Sequence, residues 1–129
     1  MRILITGAMG MLGASLVTSL KKYFEVFSTD CFDSNNTENY LNFNLENENF
    51  DKLINWSKPD IIIHCAAITD GNYCQKNPYK SFNVNGYSLK KILDSTNSSI
   101  KIIYASSTFF LSFLSSLISI FFLNKLIIF

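Results

Sequence analysis

The chain has 129 residues with 11 basic and 10 acidic side chains, which gives a formal charge of +1. This near-neutral balance excludes a nucleic-acid-binding surface, because such a surface needs clustered lysine and arginine. Hydrophobic residues make up 48% of the chain and charged residues 16%, which excludes a disordered protein and allows one domain with a buried core.

Four apolar segments alternate along the chain with helical patterns. The predicted strands cover residues 2–6, 24–29, 61–65 and 100–105. The predicted helices begin at Met11, Phe50 and Pro78, and the last has an apolar side marked by Phe82, Leu89, Ile92 and Leu93. We expect loops at 31–49 and 66–77, with a short extended piece at 40–44. This order predicts an α/β fold, a doubly wound parallel (Rossmann-like) sheet over residues 1–108 that ends after its fourth strand.

Three glycines follow the first predicted strand at regular spacing, in the sequence Gly7-Ala8-Met9-Gly10-Met11-Leu12-Gly13. The first permits a tight turn, the second lets the backbone approach a pyrophosphate, and the third lets the helix pack close to the strand. The start of the helix then offers free N–H groups and a partial positive charge to phosphates. Because a strand precedes this loop and a helix follows it, the pattern predicts a dinucleotide-binding turn.

An acidic residue, Asp30, follows the second predicted strand. A carboxylate at this place accepts hydrogen bonds from an adenosine ribose and repels a 2′-phosphate. We therefore expect NAD or NADP as cofactor, with NAD favoured. The alternative is an acid that only ends a strand before a polar loop.

Two long motifs resemble the extended short-chain dehydrogenases/reductases, the NAD-dependent epimerase/dehydratase superfamily. One is the glycine loop with Thr6, and the other is Pro59-Asp60-Ile61-Ile62-Ile63-His64-Cys65-Ala66-Ala67-Ile68-Thr69-Asp70, continued by Cys74-Gln75-Lys76-Asn77-Pro78 and Asn83-Val84-Asn85-Gly86. Within the superfamily the chain is most similar to dTDP-4-dehydrorhamnose reductases, with nucleotide-sugar epimerases and dehydratases as the alternative. The resemblance covers residues 1–108 and is to the N-terminal part of the family's NAD(P)-binding Rossmann domain only. It implies hydride transfer from NAD(P)H to a nucleotide-linked keto sugar, as in dTDP-rhamnose biosynthesis.

The resemblance also implies which residues contact the ligands. The implied cofactor-binding residues are Gly7, Met9, Gly10, Met11, Leu12, Gly13, Asp30, Asn44, Leu45, Ala66, Ala67 and Asn85. Asn44 and Leu45 correspond to an acid and an apolar residue that the family places against adenine, and Asn85 to a position that supports the active-site geometry. Ala66 and Ala67 would line the ribose and nicotinamide side. Thr69 and Asp70 would meet the nucleotide-sugar substrate.

The strand end Ile102-Ile103-Tyr104-Ala105-Ser106-Ser107-Thr108 resembles the segment that carries the family's catalytic hydroxyl. The resemblance assigns this role to Ser107, with Thr108 as the alternative. The family also uses a tyrosine acid and a lysine one helical turn later, and no tyrosine follows Tyr104 in this sequence. We therefore expect a chain that binds dinucleotide weakly and does not catalyse alone, and its status as an enzyme stays open.

The single histidine, His64, lies within an apolar, strand-like run, so we expect a buried structural histidine. The three cysteines match no disulfide or zinc pattern, so we expect no metal site and a cytoplasmic protein.

Residues 109–129 form a hydrophobic tail of Phe, Leu, Ser and Ile with one Asn and one Lys. Three interpretations stay open. The first is a membrane anchor, since 102–124 carry no charge. The second is a buried element that covers the sheet, and the third is an end at which translation left the ancestral reading frame. The abrupt change of composition after Thr108 favours the third. Membrane association is expected through this tail only, and a membrane-tethered nucleotide-binding remnant without catalysis is the non-enzymatic alternative.

Overall fold

The computed structural model describes residues 1–33, 38–46, 48–105 and the backbone of a strand at 126–128. The strands are β1 (Arg2–Thr6), β2 (Glu25–Asp30), β3 (Tyr40–Asn42), β4 (Ile61–His64), β5 (Lys101–Tyr104) and β6 (Leu126–Ile128). The helices are α1 (Met11–Leu20), α2 (Phe50–Ser57), α3 (Gly71–Lys76), α4 (Pro78–Phe82) and α5 (Ser88–Asp94). A π-helical turn, Asn83–Tyr87, joins α4 to α5.

The six strands form one sheet in the order β3-β2-β1-β4-β5-β6, and every pairing is parallel. This order is that of a doubly wound sheet, so the predicted fold class is confirmed. The extended piece expected at 40–44 forms β3. The fourth predicted strand, β5, is not the last in the sheet, because β6 pairs with its outer edge and satisfies main-chain groups there.

Side chains of the central strands point alternately into two apolar layers. On one face, Leu4 and Ile62 lie in a buried cluster with Leu53 of α2 and Leu89 of α5. On the other face, Ile3, Ile5 and Val26 pack against Leu16, Val17 and Leu20 of α1. The sheet therefore has helices on both faces, as the unbroken isoleucine run of β4 indicates.

Two local predictions were wrong. Helix α3 lies in a segment predicted as loop, and it begins where the Asp70 side chain accepts a hydrogen bond from Tyr73 N at 3.0 Å. The apolar pattern places Phe82 on the apolar side of the longer helix, but Phe82 is 45% exposed, whereas Leu89 is buried. The π-helical turn between them has more residues per turn than an α-helix, so Phe82 and Leu89, seven residues apart, do not share one face.

Among the residues that the structure describes, no helix combines the length and apolar character needed to cross a bilayer. The predicted domain boundary at residue 108 and the three interpretations of the tail depend on residues 109–129. Apart from the backbone of β6, that segment lies outside the described residues.

Candidate functional site

A cleft of about 560 Å³ lies at the carboxyl ends of the strands, where Thr6 and Gly7 of the β1 end face Cys65 and Ala66 after β4. The chain runs from β1 to β2 on one side and reaches β4 on the other, so the strand order reverses here. Doubly wound sheets leave a crevice at this position. The predicted site residues that line the cleft are Gly7, Met9, Gly10, Asp30, Asn44, Leu45, Ala66, Ala67 and Asp70.

The glycine loop is packed so tightly that side chains are excluded at its two ends. Gly7 has a φ of +71°, and a Cβ there would lie 2.6 Å from both the N and Cα atoms of Ala66. A Cβ on Gly13 would lie 2.0 Å from the carbonyl oxygen of Gly7. The glycine loop therefore packs closely against the end of β4, and the first turn of α1 packs closely against the glycine loop.

The start of α1 faces the cleft without a side-chain cap. Gly10 is the N-cap residue, and the first turn carries no acidic side chain. Met11 is 94% exposed and Leu12 is 51% exposed. Neither is among the described residues that line the cleft, so their side chains contribute little to its surface. What this end of the helix offers is backbone N–H groups and the positive end of the helix dipole, both of which favour an anion.

Asp30 ends β2, and its carboxylate is joined to the glycine loop. Its Oδ2 accepts a hydrogen bond from Met9 N at 2.9 Å, and its Oδ1 accepts one from Cys31 N at 2.8 Å. Each carboxylate oxygen has more than one acceptor site, so Asp30 keeps capacity for donors in the cleft. The sequence predicts the position of Asp30 but gives no sign of its bond to Met9.

The segment after β3 forms the far wall of the cleft. The Oδ1 of Asn44 accepts a hydrogen bond from Glu46 N at 2.9 Å, so this oxygen stabilises its own turn, and Leu45 is 8% exposed. The Glu46 carboxylate lies 3.3 Å from Lys80 Nζ, and this hydrogen bond and charge raise the pKa of Lys80. The pair thus connects the two rims of the cleft.

Asn85 supports the loop that follows β4. Its Oδ1 accepts a hydrogen bond from Ile68 N at 2.7 Å, and its Nδ2 donates to Ile68 O at 2.9 Å. The Tyr104 hydroxyl donates to Asn85 O at 2.9 Å. Asn85 therefore supports the loop at Ile68 and is not among the described residues that line the cleft.

The two predicted substrate residues differ in their placement. Asp70 lines the cleft and also caps α3, whereas Thr69 is exposed and is not a lining residue in the described part of the chain. Ser107 and Thr108 lie outside the described residues, so the catalytic hydroxyl stays a prediction.

Sequence reasoning missed several lining residues. They are Phe32, Glu46, Tyr73, Lys80 and Val84, among others. The position of Phe32 just beyond a strand end was a usable signal, because the carboxyl ends of parallel strands meet at one edge of the sheet. Lys80 carried no such signal, since its approach to Glu46 depends on how α4 packs against the segment after β3.

His64 lies beneath the cleft and is fully buried. The Ser88 hydroxyl donates to Val84 O, so it accepts from His64 Nε2 at 3.1 Å, and His64 Nδ1 accepts from Thr6 Oγ1 at 2.6 Å. This assignment gives a neutral ring protonated at Nε2. Burial lowers the pKa of His64 to about 4. The predicted structural histidine is confirmed, and the described residues contain no cluster of side chains suited to a metal ion.

Comparison with known proteins agrees with this geometry. Residues 1–111 match the family described as RmlD substrate binding domain. No curated protein sequence matches the chain. A dTDP-4-dehydrorhamnose reductase from Clostridium acetobutylicum is 32% identical with a TM-score of 0.67, over 82% of this chain and 36% of that chain.

Two further solved structures share the fold. A hypothetical dTDP-4-dehydrorhamnose reductase from Sulfolobus tokodaii is 29% identical with a TM-score of 0.71, over 82% of this chain and 39% of that chain. The UDP-glucose 4-epimerase from Thermus thermophilus, in complex with NAD, is 24% identical with a TM-score of 0.72, over 83% of this chain and 38% of that chain. The chain thus spans well under half the length of these structures. Since the family match extends from residue 1 to residue 111, the chain belongs to the RmlD substrate binding domain family, and its resemblance to the extended short-chain dehydrogenases/reductases is confirmed.

Proposed function

We propose that this chain binds a nicotinamide dinucleotide in the cleft, as the cofactor-binding part of a nucleotide-sugar reductase resembling dTDP-4-dehydrorhamnose reductase. The hydrogen bond from Met9 N to the Asp30 carboxylate carries the proposal. It joins the loop suited to a diphosphate and the acid suited to a ribose into one wall of the cleft.

The residues present fit such a cofactor. The diphosphate would lie at the start of α1, beside Gly10, where no side chain intervenes. The adenosine ribose would meet Asp30, and the adenine would lie between Leu45 and Val84. The nicotinamide half would then extend over Ala66 and Ala67, whose small side chains leave room for it.

The proposed chemistry divides between binding and turnover. Bound NAD(P)H supplies a hydride for a keto carbon. In this chain Thr69 and Asp70 would contact a nucleotide-linked sugar, and the Ser107 hydroxyl, or Thr108 in its place, would hydrogen-bond the carbonyl oxygen. The sequence contains no tyrosine after Tyr104 to protonate that oxygen, so we infer that the chain alone binds the cofactor without reducing a substrate.

The choice of NAD over NADP follows from the charge of Asp30, and Asp30→Asn tests it. The substitution keeps one acceptor oxygen but removes the charge and one of the two backbone hydrogen bonds, from Met9 N or from Cys31 N. We expect the affinity for NADH to fall about tenfold, since hydrogen bonds to a charged group are the stronger ones. The affinity for NADPH should rise relative to NADH, because the repulsion of a 2′-phosphate is lost. Titration followed by nicotinamide fluorescence measures both.

Asp33→Asn is the matched control, because Asp33 is an exposed residue close in sequence whose carboxylate accepts from the Asn42 amide and does not line the cleft. It should bind both dinucleotides as the unmodified chain does. An unmodified chain that shows no fluorescence change at millimolar NADH would contradict the proposed function itself. Equal affinity for NADH in the unmodified chain and in Asp30→Asn would contradict the role of Asp30.

A further inference from the structure

Lys91 of α5 reaches across to the segment that follows β3. Its Nζ donates to Glu46 O at 2.9 Å and to Leu45 O at 3.3 Å. These are the carbonyls of consecutive residues, and both residues line the cleft. One ammonium group therefore fixes the orientation of two neighbouring peptide units.

The surroundings of Lys91 differ from those of an ordinary surface lysine. Its Nζ lies 5.8 Å from the centre of the Phe50 ring and 5.5 Å from that of Tyr87, and the residue is half-buried. No carboxylate of the described residues lies within 4.0 Å of it. The charge is thus directed at main-chain carbonyls and aromatic rings, where donation from an ammonium is stronger than from a neutral group.

The neighbouring Lys90 shows the contrast. It is exposed and forms an ion pair with Asp94 one turn along the same helix. Such exposed pairs contribute little to stability. Lys90 therefore provides a matched comparison for any substitution of Lys91.

We infer that Lys91 is a positioning residue for the end of the cleft that receives the adenine, a role that rests on the proposed function. It holds residues 44–46 in the conformation that presents Leu45 to the cleft. Lys91 itself is not among the described residues that line the cleft, so it acts through this segment.

Hydrogen exchange without any ligand tests the structural half of this inference. In Lys91→Met, the amides of residues 44–46 should exchange about tenfold faster than in the unmodified chain, because the carbonyls of Leu45 and Glu46 lose their ammonium donor. Lys90→Met should leave them unchanged, and Lys91→Arg should restore slow exchange because a guanidinium also donates. Unchanged exchange in Lys91→Met would overturn the inference. If that variant does not fold, Lys91→Ala replaces it, with the same expected result, because alanine also has no donor for these carbonyls.

Fragment competition tests the functional half. NADH is displaced either by AMP, which carries the adenine, or by nicotinamide mononucleotide. In Lys91→Met the affinity for AMP should fall about tenfold, whereas that for nicotinamide mononucleotide stays unchanged. Equal weakening of both fragments would show general damage and overturn the positioning role. If the unmodified chain does not bind NADH, the proposed function fails, and the exchange measurement alone then decides whether Lys91 holds residues 44–46.

Discussion

Gly13 shows how strongly one position can depend on a missing side chain. Its Cβ would meet the Gly7 carbonyl oxygen at 2.0 Å, and a backbone atom cannot move aside as a flexible side chain can. The sequence predicts this requirement, because the spacing of the glycines reflects backbone geometry that repeats in every strand–turn–helix unit of this type. It does not predict the bond from Met9 to Asp30, which depends on the relative position of two strand ends.

Gly13→Ala is therefore expected to destabilise the chain by about 3 kcal/mol, at the upper end for overpacking, even though alanine is the better helix former. Gly71→Ala is the control, because a Cβ at Gly71 would meet nothing within 4 Å. That variant should stay within about 1 kcal/mol of the unmodified chain. Urea unfolding followed by circular dichroism measures both, and a small effect of Gly13→Ala would contradict the close packing described for the loop.

Among the elements, the π-helical turn is where the structure differs most from the helix that the sequence predicts. It brings Asn85 against the main chain of Ile68, and Phe82 before it does not share the buried face of Leu89. An apolar pattern read with a uniform helical period cannot reveal such a turn, because the pattern assumes 3.6 residues per turn throughout. Helix α3 was missed for a different reason: it is six residues long and contains no buried residue, so it leaves no apolar pattern.

Substituting Asn85 by Asp tests its support of the loop after β4. Aspartate can still accept from Ile68 N, but it cannot donate to Ile68 O and places a negative charge beside it. We expect a loss of about 2 kcal/mol of stability and faster hydrogen exchange at residues 66–70. Asn97→Asp is the control, since within the described part of the chain the Asn97 side chain bonds only through its Oδ1, which accepts from Ser99 N at 2.9 Å. If both variants behave alike, Asn85 has no special supporting role.

For the whole molecule, the buried network around His64 joins β1, β4 and α5 through Thr6, His64 and Ser88. The sequence predicts a buried structural histidine because the residue lies in a strand that is covered on both faces. Its partners could not be predicted, since they come from elements that meet only in the folded sheet. The overall strand order was accessible because alternating strands and helices permit few parallel arrangements.

This network predicts a dependence of stability on pH. The folded-state pKa of His64 is lowered to about 4 from an ordinary value of 6.5, so below pH 6.5 the unfolded chain takes up a proton that the folded chain does not. The free energy of unfolding should be highest above pH 6.5 and should fall by up to about 3 kcal/mol as the pH decreases to 4. Urea unfolding across this range measures the effect. His64→Gln should be less stable at neutral pH but should lose this part of the pH dependence, because the chain has no other histidine.

The bond between Asp30 and the amide of Met9 has a kinetic consequence. Both partners of this bond belong to the protein itself, so the wall that would receive a diphosphate and a ribose is held in shape by folding. An incoming dinucleotide would not have to wait for a loop to reorganise, and the entropy of ordering that loop has already been spent during folding.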